Sequence, residues 1–538
     1  GLTRYDDSHL LIGVSNYGLS LYNTETGEVD SSFASHETNQ YLNENFLTQL
    51  TTLSDGKFVA STINGGICVI NHDGTLSETI SNEQGLQNKT IYSSYEETIH
   101  YPFPHLWTAM SFGISKISLS NPLRKFEETS GYEGLINTIN ELDDRLFIGT
   151  VNGLYISTGT NNPYFRKVEG ISRTCWDLEK IRLENGEEIL LAISLDGLRQ
   201  VNRYGQALDL TNRIGGVDEE EKKVFWGFSI YTDPFNANLV FLGLESSINA
   251  IRYVNGNWNL DMTLDSLDGE IRSLARSRNG KLWFGSKLAG VGCLKTIDKS
   301  AKDYYYGVAE GLPTKENNSV YEINGEVYVG TENGIYRIYD QGDSISFYRD
   351  SLLNSYLPGG SNHILYMYNY DRNSLWISYN NEFTGWSIAL LTRDNPDSTF
   401  VPTSKPFTGL DDFSTDAVFS SAGKDAWFSL AKTLYHYNPD GTFTEGSFNA
   451  LIRKVIAGEN HVLFDGTFAQ PDKKGKLKIS LRQHPDMIPE IKFSDNNIEF
   501  LFCAPYFEKE EDIEFSYFLE GFSKDWSAWE RKFERPFT

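Results

Sequence analysis

Ser277-Arg-Asn-Gly-Lys-Leu-Trp-Phe-Gly-Ser286 reads as a turn feeding a short buried strand. Asn279-Gly280 predicts the positive-φ positions of a tight hairpin, and Leu282-Trp-Phe284 is an apolar run closed by Gly285. Ten variants of the phrase recur: His9-Leu-Leu-Ile-Gly13, Lys57-Phe-Val-Ala-Ser61, Leu106-Trp-Thr-Ala109, Arg145-Leu-Phe-Ile-Gly149, Ile189-Leu-Leu-Ala-Ile193, Leu239-Val-Phe-Leu-Gly243, Glu326-Val-Tyr-Val-Gly330, Ser374-Leu-Trp-Ile-Ser378, Asp425-Ala-Trp-Phe-Ser429 and His461-Val-Leu-Phe-Asp465. They are spaced 36 to 51 residues apart. That is the period of a four-stranded propeller blade, not of a helical or leucine-rich repeat.

The flanks agree with a blade. Glu270–Ala275, Ser319–Ile323, His363–Met367 and Asp416–Phe419 carry the apolar positions of an inner strand ahead of the phrase. After it, Asn333–Ile338, Asn152–Ile156 and Tyr17–Tyr22 predict a third strand, and Ser344–Tyr348 a more polar outer one. The regular period argues against the generic hairpins of a large β-sandwich. The fold class is therefore all-β, with multi-bladed propellers of about eleven repeats followed by a partial β-sandwich. Eleven blades exceed one ring, since propellers typically close with about four to eight, so two rings are expected. Gly215-Gly-Val-Asp-Glu-Glu-Glu-Lys-Lys223 is a candidate break, with an ordinary long loop as the alternative. The expected division is 1–214 for blades one to five, 222–469 for blades six to eleven, and 486–538 for the sandwich.

Asn-Gly-Lys-Leu-Trp-Phe-Gly-Ser286 followed by Gly290-Val-Gly-Cys-Leu-Lys295, and Val327-Tyr-Val-Gly-Thr-Glu-Asn-Gly-Ile-Tyr336, resemble the two-component regulator propeller repeats of bacterial sensor proteins. The resemblance runs from about residue 5 to about 468. Past it, Gln470–Lys478 is a basic connector, Ile491–Phe502 reads as two strands around Asp495-Asn-Asn497, and Ile513–Leu519 as another. Tyr506, Ser516-Tyr-Phe-Leu-Glu-Gly-Phe-Ser-Lys-Asp-Trp526 and Trp529 closely resemble the triple-tyrosine domain of those sensors. Phe537 departs from it, standing where a third tyrosine is expected, and the sandwich is expected to be incomplete at Thr538. The resemblance implies a periplasmic sensor region of the hybrid histidine kinase/response regulator type, joined through a downstream membrane segment to a kinase, cyclase or DNA-binding output, and acting as a homodimer.

Composition bounds the alternatives. Aromatic residues make up 14%, with 46 glycines and 16 prolines, as suits a turn-rich β protein. A formal net charge of −26 argues against direct contact with nucleic acid or with an anionic membrane surface. No apolar run reaches a membrane span, and Gly1 lacks a signal peptide's Met and basic flank, which predicts a piece of a longer chain. The four cysteines have no zinc or redox spacing, and the equivalent repeat positions of Cys68 and Cys293 predict buried free thiols.

No Gly-x-Ser-x-Gly, His-Glu-x-x-His, phosphate loop or Cys-x-x-Cys is present, so no catalytic residue, metal or cofactor is assigned. His100 and His105 are separated by two prolines, and the Asp-Gly turns at Asp73 and Asp440 lack the alternating carboxylates of a calcium loop. The repeat also has some likeness to the sialidase Asp-box, but it falls between the first and second strands, where that motif does not occur. Loops that enter the inner strands surround one mouth of a propeller channel. Trp176, Trp226, Arg272, Asn318 and His363 are the candidate ligand residues there, offering aromatic faces and donors. Packing between blades is the alternative role for Trp176 and Trp226, and core packing is expected for Trp283, Trp376 and Trp427. The expected ligand is small, an oligosaccharide. A secreted propeller hydrolase or lyase, or a protein-interaction scaffold, is the alternative.

Overall fold

The computed structural model describes residues 1–98, 105–119, 121–160, 163–211, 213–215, 227–297, 303–342, 344–383, 385–403, 407, 410, 417–422, 425–439, 449–472, 474–480, 483–504, 513–531 and 534–537. Almost all regular structure is antiparallel β-sheet, with short helices at His36–Asn45 and Ser351–Ser355. Ten of the eleven repeat phrases are second strands of propeller-like sheets, most of them buried on both faces, as in Leu282–Ser286 and Glu326–Thr331. Trp283, Trp376 and Trp427 are 1%, 0% and 3% exposed, so their expected core role is met.

The chain forms two compact units, Gly1–Glu96 with Leu106–Phe443, and Glu97–His105 with Thr444–Thr538. The first unit opens with three sheets built on the second strands His9–Val14, Phe58–Thr62 and His105–Met110. Seven further sheets then follow one another in a cycle. Their inner strands, from sheet one to sheet seven, are Ile136–Leu142, Cys175–Arg182, Gly227–Thr232, Ile271–Arg276, Ser319–Ile323, Asn362–Tyr368 and Val418–Ala422. Each lies beside the next, and the last returns to the first.

The cycle closes because sheet seven is composite. Leu123–Phe126, the first strand in sequence, pairs antiparallel with Thr433–Tyr437 in the register Leu123 to Tyr437 and Phe126 to Leu434. Tyr132, fully buried, fastens this clasp. Its hydroxyl lies 2.8 Å from the Phe126 carbonyl and 2.9 Å from the Lys432 carbonyl, and accepts the Leu434 N–H at 3.2 Å. Sheets two and three, which flank the candidate break at 215–223 in sequence, are neighbours in this cycle.

The glycine closing the phrase has a packing reason. A Cβ on Gly285 would lie 2.3 Å from the Asn318 carbonyl oxygen, and one on Gly243 2.6 Å from that of Ile271. The next sheet's inner strand occupies the side-chain space, which brings adjacent sheets close enough to bury apolar clusters such as Phe241, Ile271, Leu274 and Phe284. The turn of the opening stretch differs in detail from expectation. Gly280 has φ 87°, but Asn279 is not among the positive-φ residues. Its side chain instead accepts from the Ser277 hydroxyl at 2.6 Å and donates to Asp340 at 2.9 Å. The cysteines are free, with Cys68, Cys175 and Cys293 buried.

The second unit corrects the eleventh repeat. His461–Asp465 is an edge strand paired to Leu451–Ala457, whose other side pairs with Ile498–Cys503 and, beyond that, Glu534–Phe537. The phrase matches in letters, yet most of its residues are exposed or half-buried and it has no third strand of a blade. The second compact unit takes in Thr444–Thr538, against a domain boundary expected at 469. Of the two strands expected in 491–502 only Ile498–Cys503 forms, because Phe493–Asp495 turns as a short 3-10 helix. Ile513–Leu519 contributes one bridge, Phe515 to Glu530. Tyr506 lies outside the described residues.

Candidate functional site

Inner strands of sheets one to four each begin with a β-bulge, at Ile136/Thr138, Cys175/Asp177, Gly227/Ser229 and Ile271/Ser273. A bulge leaves one residue out of the ladder and re-aims its side chain. The residues so displaced are Asn137, Trp176, Phe228 and Arg272, one per sheet at the same end of the ring. The residue after each bulge joins the sheets. Asp177 accepts the Ile230 N–H at 2.8 Å, Ser229 donates to the Ile271 carbonyl at 3.1 Å, and Ser273 accepts the Val320 N–H at 2.8 Å. Asn137 donates to the Cys175 carbonyl at 3.0 Å, and Tyr321 to that of Leu365 at 2.8 Å. Side chains thus stitch inner strand to inner strand and hold the mouth rigid.

Three of the bulge residues stack. The Arg272 guanidinium lies 4.7 Å from the Trp176 ring centroid and 4.2 Å from that of Phe228, and the two rings are 5.4 Å apart. Such contacts are attractive because the ring faces are electron-rich. Glu270 fixes the guanidinium, accepting from Arg272 Nε at 2.7 Å, and Lys287 stands 3.6 Å from the same carboxylate oxygen. Among the described residues the buried Nε1 of Trp176 has no hydrogen-bond partner. The mouth therefore presents aromatic faces, donors and one carboxylate within a single cluster.

The structure brings together two of the five sequence candidates, Trp176 and Arg272. Trp226 lies outside the described residues. Asn318 is 1% exposed, donates to the Thr314 carbonyl at 3.0 Å and, among the described residues, has no partner for its Oδ1, so it belongs to the wall of sheet five. His363, half-buried on sheet six, has its pKa lowered by burial, which Glu332 partly opposes, and is neutral at pH 7. Sequence reasoning missed Phe228, Glu270 and Lys287. The signal for Phe228 lay in the triplets Cys175-Trp-Asp, Gly227-Phe-Ser and Ile271-Arg-Ser, in which it aligns with Trp176 and Arg272.

Below the mouth, Asp177 and Glu179 lie on one side of their strand and face the inner strand of sheet three, accepting the Ile230 N–H at 2.8 Å and the Thr232 N–H at 3.2 Å. They keep some exposure to solvent while protein surrounds them, and lost hydration raises their pKa values to about 6 and about 7, with Asp177 adding to the shift of Glu179. Both acids hold protons in the folded chain at a pH where the unfolded chain, near 3.8 and 4.5, has released them. Stability should therefore fall as pH rises from about 4 to about 7. The double variant Asp177→Asn/Glu179→Gln keeps an acceptor for the Ile230 N–H and is expected to gain on the order of 1–3 kcal/mol over the parent across that window. Urea unfolding at a series of pH values checks this; parallel profiles for parent and variant would refute it.

A second concavity, of about 980 Å³, lies between the helix His36–Asn45 and the strand Leu76–Ile80 in the first three sheets. Its lining is rich in amides, including Gln40, Asn45, Asn64, Asn82 and Asn88. Glu78, also in the lining, is paired with Arg124 at 2.8 Å. Among the described residues no group of three His, Cys, Asp or Glu side chains converges as a metal site, and no helix is long and apolar enough to cross a membrane.

No family model and no curated protein matches the chain. Solved structures do. The extracellular domain of BT3049 of B. thetaiotaomicron, designated a hybrid two-component system, aligns over 100% of this chain and 73% of its own, at 16% identity and TM-score 0.60. The likeness shows the fold. Also matched, at TM-scores too low to carry an argument, are the extracellular domain of the B. thetaiotaomicron one-component system BT4673 (16% identity, 100% and 70% coverage, 0.46) and virginiamycin B lyase of Staphylococcus aureus (13%, 59% and 98%, 0.40).

Proposed function

We propose that this chain is an extracytoplasmic ligand-sensing region of a bacterial signalling protein, and that it binds a saccharide at the mouth formed by Trp176, Phe228 and Arg272. The stacked cluster on bulged positions carries this reading. Aromatic faces suit the C–H faces of sugar rings, while Arg272, Lys287 and Glu270 supply donors and acceptors for hydroxyls. The fold shared with an extracellular domain of a two-component system supports the sensing role, as does the absence of enzymatic motifs in the sequence. Binding would be relayed through a triple-tyrosine domain in residues 444–538 and a homodimer to a membrane-linked output. For that, the ligand must prefer one arrangement of the protomers.

The amide-lined cavity by the helix His36–Asn45 supports a second location, since amides both donate to and accept from vicinal hydroxyls. Calorimetry against neutral and acidic saccharides, with product analysis, tests the reading. A saccharide is expected to bind and return unchanged, and Trp176→Ala or Arg272→Ala to weaken it by about tenfold or more. Turnover would favour a propeller enzyme. Undiminished binding in both variants would move the ligand to the cavity.

A further inference from the structure

At the opposite end of the ring the inner strands run into hairpin turns, and those of sheets three to six enclose a concavity of about 420 Å³. Phe235 and Tyr370, 59% and 50% exposed, stand in its lining with Arg276, Arg278 and Arg372. In a chain of net charge −26, three guanidinium groups gather on one small cavity, beside two carboxylates, Glu322 and Asp371.

The three arginines are not equivalent. Arg276 is structural: it pairs with the buried Asp233, donates to the Gly280 carbonyl at 3.2 Å and lies 5.1 Å over the Phe235 ring, which holds that ring in place. Arg278 is exposed. Its backbone N–H donates to the Gly325 carbonyl at 3.1 Å, and among the described residues its guanidinium makes one hydrogen bond, to the Asn324 carbonyl at 3.0 Å, which lays it across Gly325. Arg372 is also exposed, on a turn braced by Arg393, whose guanidinium donates to the Arg372 carbonyl at 2.9 and 2.6 Å. The two carboxylates of the lining are turned onto their own hairpins. Asp371 accepts from the Asn373 N–H at 2.8 Å and the Ser374 hydroxyl at 3.0 Å, and Glu322 from the Gly325 N–H. Donor capacity thus remains on Arg278 and Arg372, beside the Phe235 ring under Arg276 and the exposed ring of Tyr370.

We infer that this far cavity is a binding site for a small aromatic carboxylate, its oxyanion taken by Arg278 and Arg372 and its ring laid against Tyr370 and Phe235. Guanidinium groups match carboxylate geometry with paired N–H donors, and the planar body explains why the arginines are accompanied by exposed rings. This site is separate from the mouth at Trp176 and does not depend on what binds there.

Benzoate, inorganic phosphate and benzyl alcohol are the probes, titrated by calorimetry into the whole chain at low salt. Benzoate should bind. Phosphate, with the charge but no ring, and benzyl alcohol, with the ring but no charge, should each bind roughly tenfold more weakly or worse. Arg372→Ala and Arg278→Ala should each weaken benzoate by about tenfold. Arg372→Lys should recover only part of the loss, because a point charge replaces the paired donors. Both arginines are exposed, so melting temperatures should match the parent and a loss of binding can be read as a loss of the site. Absence of benzoate binding, or binding unchanged in Arg372→Ala, would overturn the inference. Phosphate binding as tightly as benzoate would overturn the aromatic-carboxylate assignment.

Discussion

Tyr132→Ala is expected to cost the first unit about 3–5 kcal/mol, the range for removing a fully buried aromatic side chain. The ring packs edge-on against Phe165 at 5.4 Å, and the hydroxyl sits among the Phe126 carbonyl, the Lys432 carbonyl and the Leu434 N–H. Those groups belong to the two chain segments that meet to close the ring. Tyr132→Phe separates packing from hydrogen bonding. It keeps the ring contact and leaves polar groups unpaired inside the clasp, for a loss of about 1–3 kcal/mol. Urea unfolding of the three proteins measures both terms, and a Tyr132→Phe variant as stable as the parent would show that the hydroxyl does not fasten the closure.

An alanine at Gly285 should cost about 2–3 kcal/mol, because added atoms in a close-packed interior force backbone to move. The new Cβ would meet the Asn318 carbonyl oxygen at 2.3 Å and the Ser273 hydroxyl oxygen at 2.5 Å. The first is backbone, and the second is committed to the Val320 N–H, so neither can swing away and sheets four and five must part. Gly159→Ala is the matched control, with nothing within 4 Å of its Cβ. Denaturant midpoints should drop for the first variant and hold for the second. Equal midpoints would mean that the repeat's closing glycine does not set the spacing between sheets.

These two positions also mark what the sequence could and could not convey. The phrase around Trp283 was readable because second strands are buried on both faces, which imposes a short apolar run, and on a close neighbour, which imposes the glycine. Closure of the ring was not readable. Leu123–Phe126 finds its partner some 300 residues later, and no local pattern in either strand announces the pairing. The glycine-rich, charged stretch at 215–223 could be read as a break or as a long loop for the same reason: composition reports turns, not which sheets are neighbours. His461–Asp465 has the letters of a repeat, but burial follows from the strands beside it. At the mouth, Trp176 and Arg272 were legible from their place before an inner strand. Phe228 was passed over, since a bulge shifts the aimed residue without altering the hydrophobic pattern.

Amide hydrogen exchange, with and without the saccharide that calorimetry selects, tests most directly whether the mouth of the ring is the sensing site. The account predicts slowed exchange at the starts of the inner strands of sheets two to four, around Trp176, Phe228 and Arg272, with the turns at the far end unchanged. Protection confined to the helix His36–Asn45 and the strand Leu76–Ile80, or absent from those inner strands, would contradict it.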